Sequence, residues 1–343
     1  MIEIDGSQGE GGGQILRTAL ALSVVSGKAF RIDRIRAGRE KPGLMRQHLT
    51  CVQAAADVAA AVVVGASVGS TAVTFTPGPA RHGDRTFSIG TAGATALVLQ
   101  TVLPPLLVVA GRSRLIFEGG THGKMAPPAD FIERAFLPLL RKMGAKVSVV
   151  VEKRGFYPAG GGRVVVDVEG GHRLSALRLL ERGRLVRAHA RALVSNLPEN
   201  VGHREVTVLR GRLPDLGLTR DDVEVVDVAG PGPGNALVLD LEFDELTEVI
   251  SAIGERHKKA EAVAADVVAE AKAFLEAGVP VGAHLADQLL IPMALGSGGA
   301  FRTLALTPHT STNIDVIRRF LDVDIGQRDS EGGVRIDVTV SHS

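Results

Sequence analysis

The chain repeats itself at a spacing longer than that of stacked short repeats, which limits it to folds built from a recurring unit. Gly13-Gln14-Ile15-Leu16-Arg17-Thr18-Ala19-Leu20 opens an apolar helix that ends at Ser26-Gly27, and residues 30–35 read as a strand. After a Gly/Arg turn, Pro42 begins a second helix predicted to run to about Val64, with another strand at 72–75. Gly93-Ala94-Thr95-Ala96-Leu97-Val98-Leu99-Gln100 restarts the same order. There, Gly111 stops the helix, 114–117 is a strand, Gly119-Gly120 turns, 128–143 is helical, and 146–151 and 163–168 are paired strands. A third pass gives a helix at 285–295, a stop at Gly298-Gly299, a strand at 301–306, a helix to Leu321 and a closing strand at 334–340. The expectation is an α+β fold of three or more repeated α/β units around a shared axis, formed by residues 1–179 and 279–343. Residues 180–278 break the pattern and read as a smaller inserted α/β domain. It has strands at 186–194, 223–228 and 236–243, a helix at 200–213, and a long polar helix at 246–277 carrying Glu255, Arg256, Lys258, Lys259 and Glu261. Gly230-Pro231-Gly232-Pro233-Gly234 reads as its hairpin loop.

In each unit a turn joins a strand to the second helix: Ala37-Gly38, Gly120 and His309 occupy equivalent places. If the units pack symmetrically, these turns share a face, and a site belongs there. Pro308 breaks the strand before His309, and Thr312 with Asp315 is a plausible capping pair opening a helix at Asn313. A helix start collects unpaired N–H groups that attract phosphate oxygens and disfavour an imidazolium. His309 would therefore stay neutral, and so nucleophilic toward phosphorus.

Two other stretches fit such chemistry. The glycine-rich run from Asp5 to Gln14 lies between a strand and a helix, where backbone N–H groups can meet phosphates; it lacks a Walker Lys-Ser/Thr pair. Glu10 within it is a hard-oxygen ligand suited to Mg²⁺. Cations cluster in the first unit, and Arg36, Arg39 and Arg46 are the candidates for phosphate ligands, while Arg31 and Arg34 read as a solvated strand face. His284-Leu285-Ala286-Asp287-Gln288 opens the first helix of the third unit.

Composition sets outer limits. A net charge of +1 argues against a general polyanion binder, so nucleic-acid contact must be local. Aromatics at 3% leave little for a base-stacking platform, which predicts weak sequence selectivity. The lone Cys51 excludes an internal disulfide or thiolate cluster and fits a reducing compartment, and residues 1–5 alternate like a strand rather than a leader. A cytoplasmic location is expected. The most apolar run, 96–110, holds Gln100 and Pro104-Pro105 and is too short to span a bilayer, so no membrane is expected.

Several strings together resemble the RNA 3′-terminal phosphate cyclase family: Gln8-Gly9-Glu10-Gly11-Gly12-Gly13-Gln14-Ile15-Leu16-Arg17, and residues 36–49, 88–103, 127–131, 155–162 and 285–292. His309-Thr310-Ser311-Thr312-Asn313-Ile314 completes the set, which covers about 1–324 and is weakest across the insertion. The resemblance implies repeats like the C-terminal domain of translation initiation factor 3, related to those of EPSP synthase, with an inserted domain. It implies that His309 attacks the α-phosphorus of ATP and carries AMP to an RNA 3′-phosphate, which the 2′-OH then closes to a 2′,3′-cyclic phosphate. It further implies a nucleotide pocket of Gln100, Pro127, Phe131, His284, Leu285, Ala286, Asp287 and Gln288. Arg17, Arg36, Arg39 and Arg46 would lie near the RNA end, and Glu10 would hold Mg²⁺ or Mn²⁺. His284 stands where the family often has a Tyr that stacks on adenine; an imidazole also stacks. A non-catalytic relative in RNA processing or ribosome assembly would lack the nucleophile, and a carboxyvinyl transferase of related architecture would have no use for an adenylylated histidine.

Overall fold

The computed structural model describes residues 1–9 and 12–341. The first strand, β1 (Ile2–Asp5), leads through α1 (Gln14–Ser26) to β2 (Phe30–Asp33), then α2 (Arg46–Ala59), β3 (Val62–Val64) and β4 (Val73–Thr76). The α2 helix ends earlier than its apolar pattern suggests, because Ala60 turns left-handed at φ 45° and releases Val62–Val64 to pair with β4. The chain continues with β5 (Arg85–Ser88), α3 (Thr95–Val108) and β6 (Gly111–Gly119). Next come α4 (Ala129–Phe131), a π-helical turn at Ile132–Phe136, α5 (Leu137–Lys142), β7 (Lys146–Lys153) and β8 (Gly162–Gly170).

A short strand, β9 (Leu177–Leu179), precedes β10 (Leu185–Ser195), α6 (Asn200–Arg212), β11 (Val223–Asp227), β12 (Gly234–Phe243), β13 (Thr247–Ile253) and α7 (Ala260–Ala277). The helix expected over 246–277 is thus two elements. Thr247–Ile253 is rich in β-branched residues and pairs antiparallel with β12, so sheet pairing overrides the helical reading there. Glu255, Arg256, Lys258 and Lys259 lie in the connection, and Glu261 alone of the charged set is helical. Gly230–Gly234 is not a hairpin loop, because β11 and β12 both pair with β10 and not with each other. The chain closes with α8 (Ala283–Leu295), β14 (Gly299–Thr303), α9 (Pro308–Phe320), β15 (Val323–Ser330) and β16 (Gly333–Val340).

Among the described residues, the mixed α/β architecture has four sheets of four strands. The order β1-β2-β4-β3 returns as β5-β6-β8-β7 and as β9-β14-β16-β15, each with one parallel pair followed by two antiparallel ones. The fourth sheet runs β11-β10-β12-β13. Between the strands, α1 packs on α2, α3 and α9, while α8 packs on α3 and α9. Because α3 is enclosed by other elements, every residue of it except Gln100 and Val108 is buried, as an all-round apolar helix requires. A separate apolar core, from Ala188 to Val279, holds α6 and α7 against β10, β12 and β13. Among the described residues, no helix is long and apolar enough to cross a membrane.

The helix that was expected to open at Asn313 begins at Pro308, and its cap is Thr307, whose hydroxyl accepts the Thr310 N–H at 3.1 Å. Thr312 is buried inside the helix. Proline both ends the strand and supplies the preset φ of a first helical residue. His309 therefore stands in the first turn of α9 rather than in the loop before it.

Candidate active site

Helices α1, α8 and α9 converge on a cavity of about 730 Å³, and His309 reaches it from the start of α9. Its Nδ1 lies 2.5 Å from the side-chain carbonyl of Gln14, the first residue of α1. The amide nitrogen of Gln14 donates to both carboxyl oxygens of Asp287, at 2.7 and 2.8 Å. These contacts fix the protons. A carboxylate only accepts, so it takes the NH₂ end of Gln14 and turns the amide oxygen toward His309. Nδ1 must then be the N–H donor, and the lone pair of the neutral ring sits on Nε2. Asn313, one turn along α9, donates from Nδ2 to the Asp287 backbone carbonyl at 2.9 Å and accepts the Thr18 hydroxyl at 2.9 Å. The three helices are thereby tied together by polar side chains.

The electrostatics favour the neutral ring. Partial burial pulls the His309 pKa below its ordinary 6.5, and Arg17, His284 and Arg39 push the same way, against Asp287. Asp287 is itself raised by burial, although Gln14, His309, Arg17 and Asn313 oppose that shift. The α1 and α9 N-termini add partial positive charge on the same side.

Glycine makes the approach possible. A Cβ on Gly13 would stand 2.2 Å from His48 Nε2 and 2.9 Å from an Arg17 nitrogen. Gly9, at φ +58°, would drive one to 2.0 Å from the Thr312 hydroxyl. His48 accepts the Met45 N–H on Nδ1 at 3.3 Å, which leaves its proton on Nε2, toward Gly13. Burial, then Arg17 and Arg36, hold its pKa down to about 3. It is a neutral donor at any ordinary pH.

Of the residues expected from sequence, Gln100, Pro127, Phe131, His284, Asp287, Gln288, Arg17, Arg36, Arg39 and His309 line this cavity. Leu285 and Ala286 do not; they are buried in the core. Helical periodicity decides this, since 284, 287, 288 and 291 share one face of α8 and 285, 286, 289 and 290 the other. Arg46 is exposed at the start of α2 and stays out of the cavity. Arg36 commits one nitrogen to the backbone carbonyls of Lys41 and Gly43, at 2.6 and 2.9 Å, which makes it partly a turn-former. Glu10 lies outside the described residues. Among the described residues, no group of three His, Cys, Asp or Glu side chains is arranged to hold a metal ion.

Sequence reasoning missed Gln14 as a functional group, together with Gln47, His48 and Asn313. Gln14, Arg17 and Thr18 lie at i, i+3 and i+4 on α1, so the helical face was a readable signal. It also missed the wall that β13 and α7 contribute through Val249, Ser251, Ile253 and Glu270. Across the mouth, Lys124 pairs with Glu255 at 3.0 Å.

Known proteins resemble the chain over nearly its whole length. Residues 8–326 match the family described as RNA 3′-terminal phosphate cyclase. A Ralstonia nicotianae protein named RNA 3′-terminal phosphate cyclase is 50% identical over 325 residues, covering 94% of this chain and 92% of the relative. Proteins of the same name from Salmonella enteritidis, at 47% identity, and Koribacter versatilis, at 43%, cover 99% and 98% of the chain and 99% and 94% of their own lengths.

Proposed function

Because the chain belongs to the RNA 3′-terminal phosphate cyclase family, we propose that it uses ATP to close RNA 3′-phosphate ends into 2′,3′-cyclic phosphates, with AMP carried on His309. The observation that carries this reading is the run from His309 through Gln14 to Asp287. Nε2 attacks the α-phosphorus of ATP, an N–P bond forms, and the bond to pyrophosphate breaks. The ring, still protonated at Nδ1, then bears a positive charge. Gln14 accepts the polarised Nδ1–H, and the nearby Asp287 carboxylate offsets the charge through space. An oxygen of the RNA 3′-phosphate next displaces the histidine from phosphorus, and Nε2 recovers its lone pair. Finally the 2′-OH oxygen attacks the 3′-phosphorus, AMP departs, and the hydroxyl proton is lost. That closure is intramolecular, so orientation supplies much of its acceleration, with effective molarities of about 10⁵ M or more for well-aligned cases.

Arg17 and Arg39 would hold phosphate oxygens in the cavity, with neutral His48 as a further donor. Mg²⁺ or Mn²⁺ would be held by Glu10 and the nucleotide, supplying charge neutralisation on the phosphates. Gly13, three residues past Glu10, lines the cavity beside His48, which suits that role. We also infer that the three sheets of common order are copies of one ancestral unit, and that residues 180–278 are a domain inserted after the first strand of the third. ATP and RNA as substrates, and an unpaired Cys51, suit the cytoplasm.

Incubation with ATP labelled at the α-phosphorus should leave label on the wild-type protein, and His309→Ala should abolish it. Full labelling of the alanine variant would remove the basis of the mechanism. With RNA bearing a 3′-phosphate, the wild type should convert the end to a phosphatase-resistant one and release AMP.

A further inference from the structure

The cavity is bipolar. Arg17, Arg36 and Arg39 line it at the His309 end, whereas Glu255, Asp266 and Glu270 line it from the segment between β9 and α8. Lys124 and Lys258 line that end too and leave it only weakly acidic, so phosphates are drawn to the arginines and the rest of a nucleotide extends the other way. Helix α8 gives the direction. Asp287 belongs to the His309 end through Gln14, and His284 stands one turn earlier on the same face. His284 lies within electrostatic reach of His309 on one side and of Glu270 on the other. The order along the cavity is therefore His309, His284, Glu270.

The acids at this end are not equivalent. Asp266 pairs with Lys258, and Glu255 pairs with Lys124. Among the described residues, the Glu270 carboxyl group makes no hydrogen bond or ion pair; burial raises its pKa, and the nearby His284 ring opposes that rise. It sits on α7 one turn from Asp266, accessible from the cavity, beside the apolar wall of Val249 and Ile253. An acceptor left open beside an apolar surface suits a flat ring carrying a hydrogen-bond donor on its edge.

We propose that Glu270 is a specificity-determining residue that accepts a hydrogen bond from the 6-amino group of adenine and repels the 6-oxo group of hypoxanthine or guanine. The assignment rests on the adenylyl-transfer reading above and names what distinguishes ATP from other nucleotides in that same cavity. A carboxylate facing an amine gains a charge-assisted bond, and the same carboxylate facing a carbonyl oxygen is left without a donor. Glutamine in its place can rotate to serve either edge.

The test compares transfer from ATP, ITP and 2′-deoxy-ATP, each labelled at the α-phosphorus, to the wild type, Glu270→Gln and Glu270→Ala. A ratio of nucleotides within one preparation is independent of how much protein is folded. The wild type should prefer ATP over ITP by roughly tenfold or more, the worth of one hydrogen bond to a charged group, and both variants should bring that ratio close to one. An ATP-to-ITP ratio that is unchanged in both variants overturns the assignment. So does a change confined to the ATP-to-2′-deoxy-ATP ratio, which places Glu270 on the sugar. Absence of any label on the wild type with ATP overturns the adenylyl-transfer reading itself, and this assignment with it.

Discussion

Two histidines of this protein are each held by an aspartate, and they are held in opposite ways. His122 and Asp130 are fully enclosed, with side-chain exposures of 0% and 1%, and His122 Nε2 touches the carboxylate directly at 2.6 Å. The other ring nitrogen of His122 meets the Thr121 hydroxyl at 2.8 Å. Arg134 reaches Asp130 at 2.8 Å and extends to Asp240 of β12 at 2.8 Å, which Arg191 also engages. Burial raises the Asp130 pKa, but His122, Arg134 and Arg154 outweigh it and hold the carboxyl far below the usual range. His309 faces solvent in the cavity, and the Gln14 amide stands between it and Asp287. Direct contact with a carboxylate stabilises imidazolium, which would spoil a nucleophile at His309. A neutral amide passes on orientation without passing on the full charge.

Breaking the His122–Asp130 strut should have the largest effect. Asp130→Ala would leave the fully enclosed His122 without its acceptor and Arg134 with Asp240 alone, and should cost about 3–5 kcal/mol of stability, read from denaturant unfolding. A loss below about 1 kcal/mol would mean the network is solvated and not a strut. Gln14→Glu converts the second arrangement into the first by placing a carboxylate against His309. The raised pKa should leave the ring protonated at neutral pH and lower self-adenylylation about tenfold to a hundredfold, with recovery as pH rises. Gln14→Ala, which loses orientation without adding charge, should be slow at every pH, so similar pH profiles for the two variants would contradict the spacer role.

The wild-type profile sharpens the same point. Because the His309 pKa is lowered, its ring stays neutral below pH 6.5, and the labelling rate should hold its plateau there rather than fall at the ordinary histidine value. A midpoint above 6.5 would show that Asp287 dominates. The last effect concerns a third acid, Glu248 of β13, which among the described residues has neither imidazole nor cation beside it. It accepts the Gly282 N–H at 2.9 Å where α8 begins. Burial pushes its pKa up to about 8 from 4.5, with Glu270 adding to the rise and the Gly282 bond opposing it. The unfolded chain gives up this proton at the lower value and the folded chain at the higher, so stability is lost as pH rises between them. Glu248→Gln keeps the acceptor and does not titrate, so it should gain stability over the wild type steadily as pH rises toward 8. Parallel stability curves for the two proteins would place Glu248 in contact with water.

Local chemistry made much of the fold readable. Glycines stop helices at Gly27 and Gly278, both left-handed at φ 70° and 65°, and the apolar run of α3 is as deeply buried as its composition demands. The errors fell where a local preference met a partner distant in sequence. Thr247–Ile253 reads as helix until β12 is beside it, and Val323–Ser330 carries too many polar residues to announce a strand until β16 pairs with it. At the site, His309 stood out by residue type and setting, whereas Arg17 and Asp287 were pointed to only by the family resemblance. Leu285 and Ala286 share a stretch with cavity residues, but the turn of α8 sends them into the core.

What the sequence determined by itself was the inventory: an imidazole at a helix start, glycines that let backbones close up, arginines on a turn, and periodicities that fix which residues share a face. Only the tertiary structure decided which nitrogen of His309 holds the proton. That choice depends on Gln14 meeting Asp287 across 273 residues of chain, and on an amide whose orientation is set by what lies beyond it. The acidic end of the cavity has the same origin, since Glu270 becomes part of a site only when α7 packs on β13 and both line one cavity with α8. Propensity acts over a few residues, whereas a proton or a charge responds to whatever folding brings within a few ångströms.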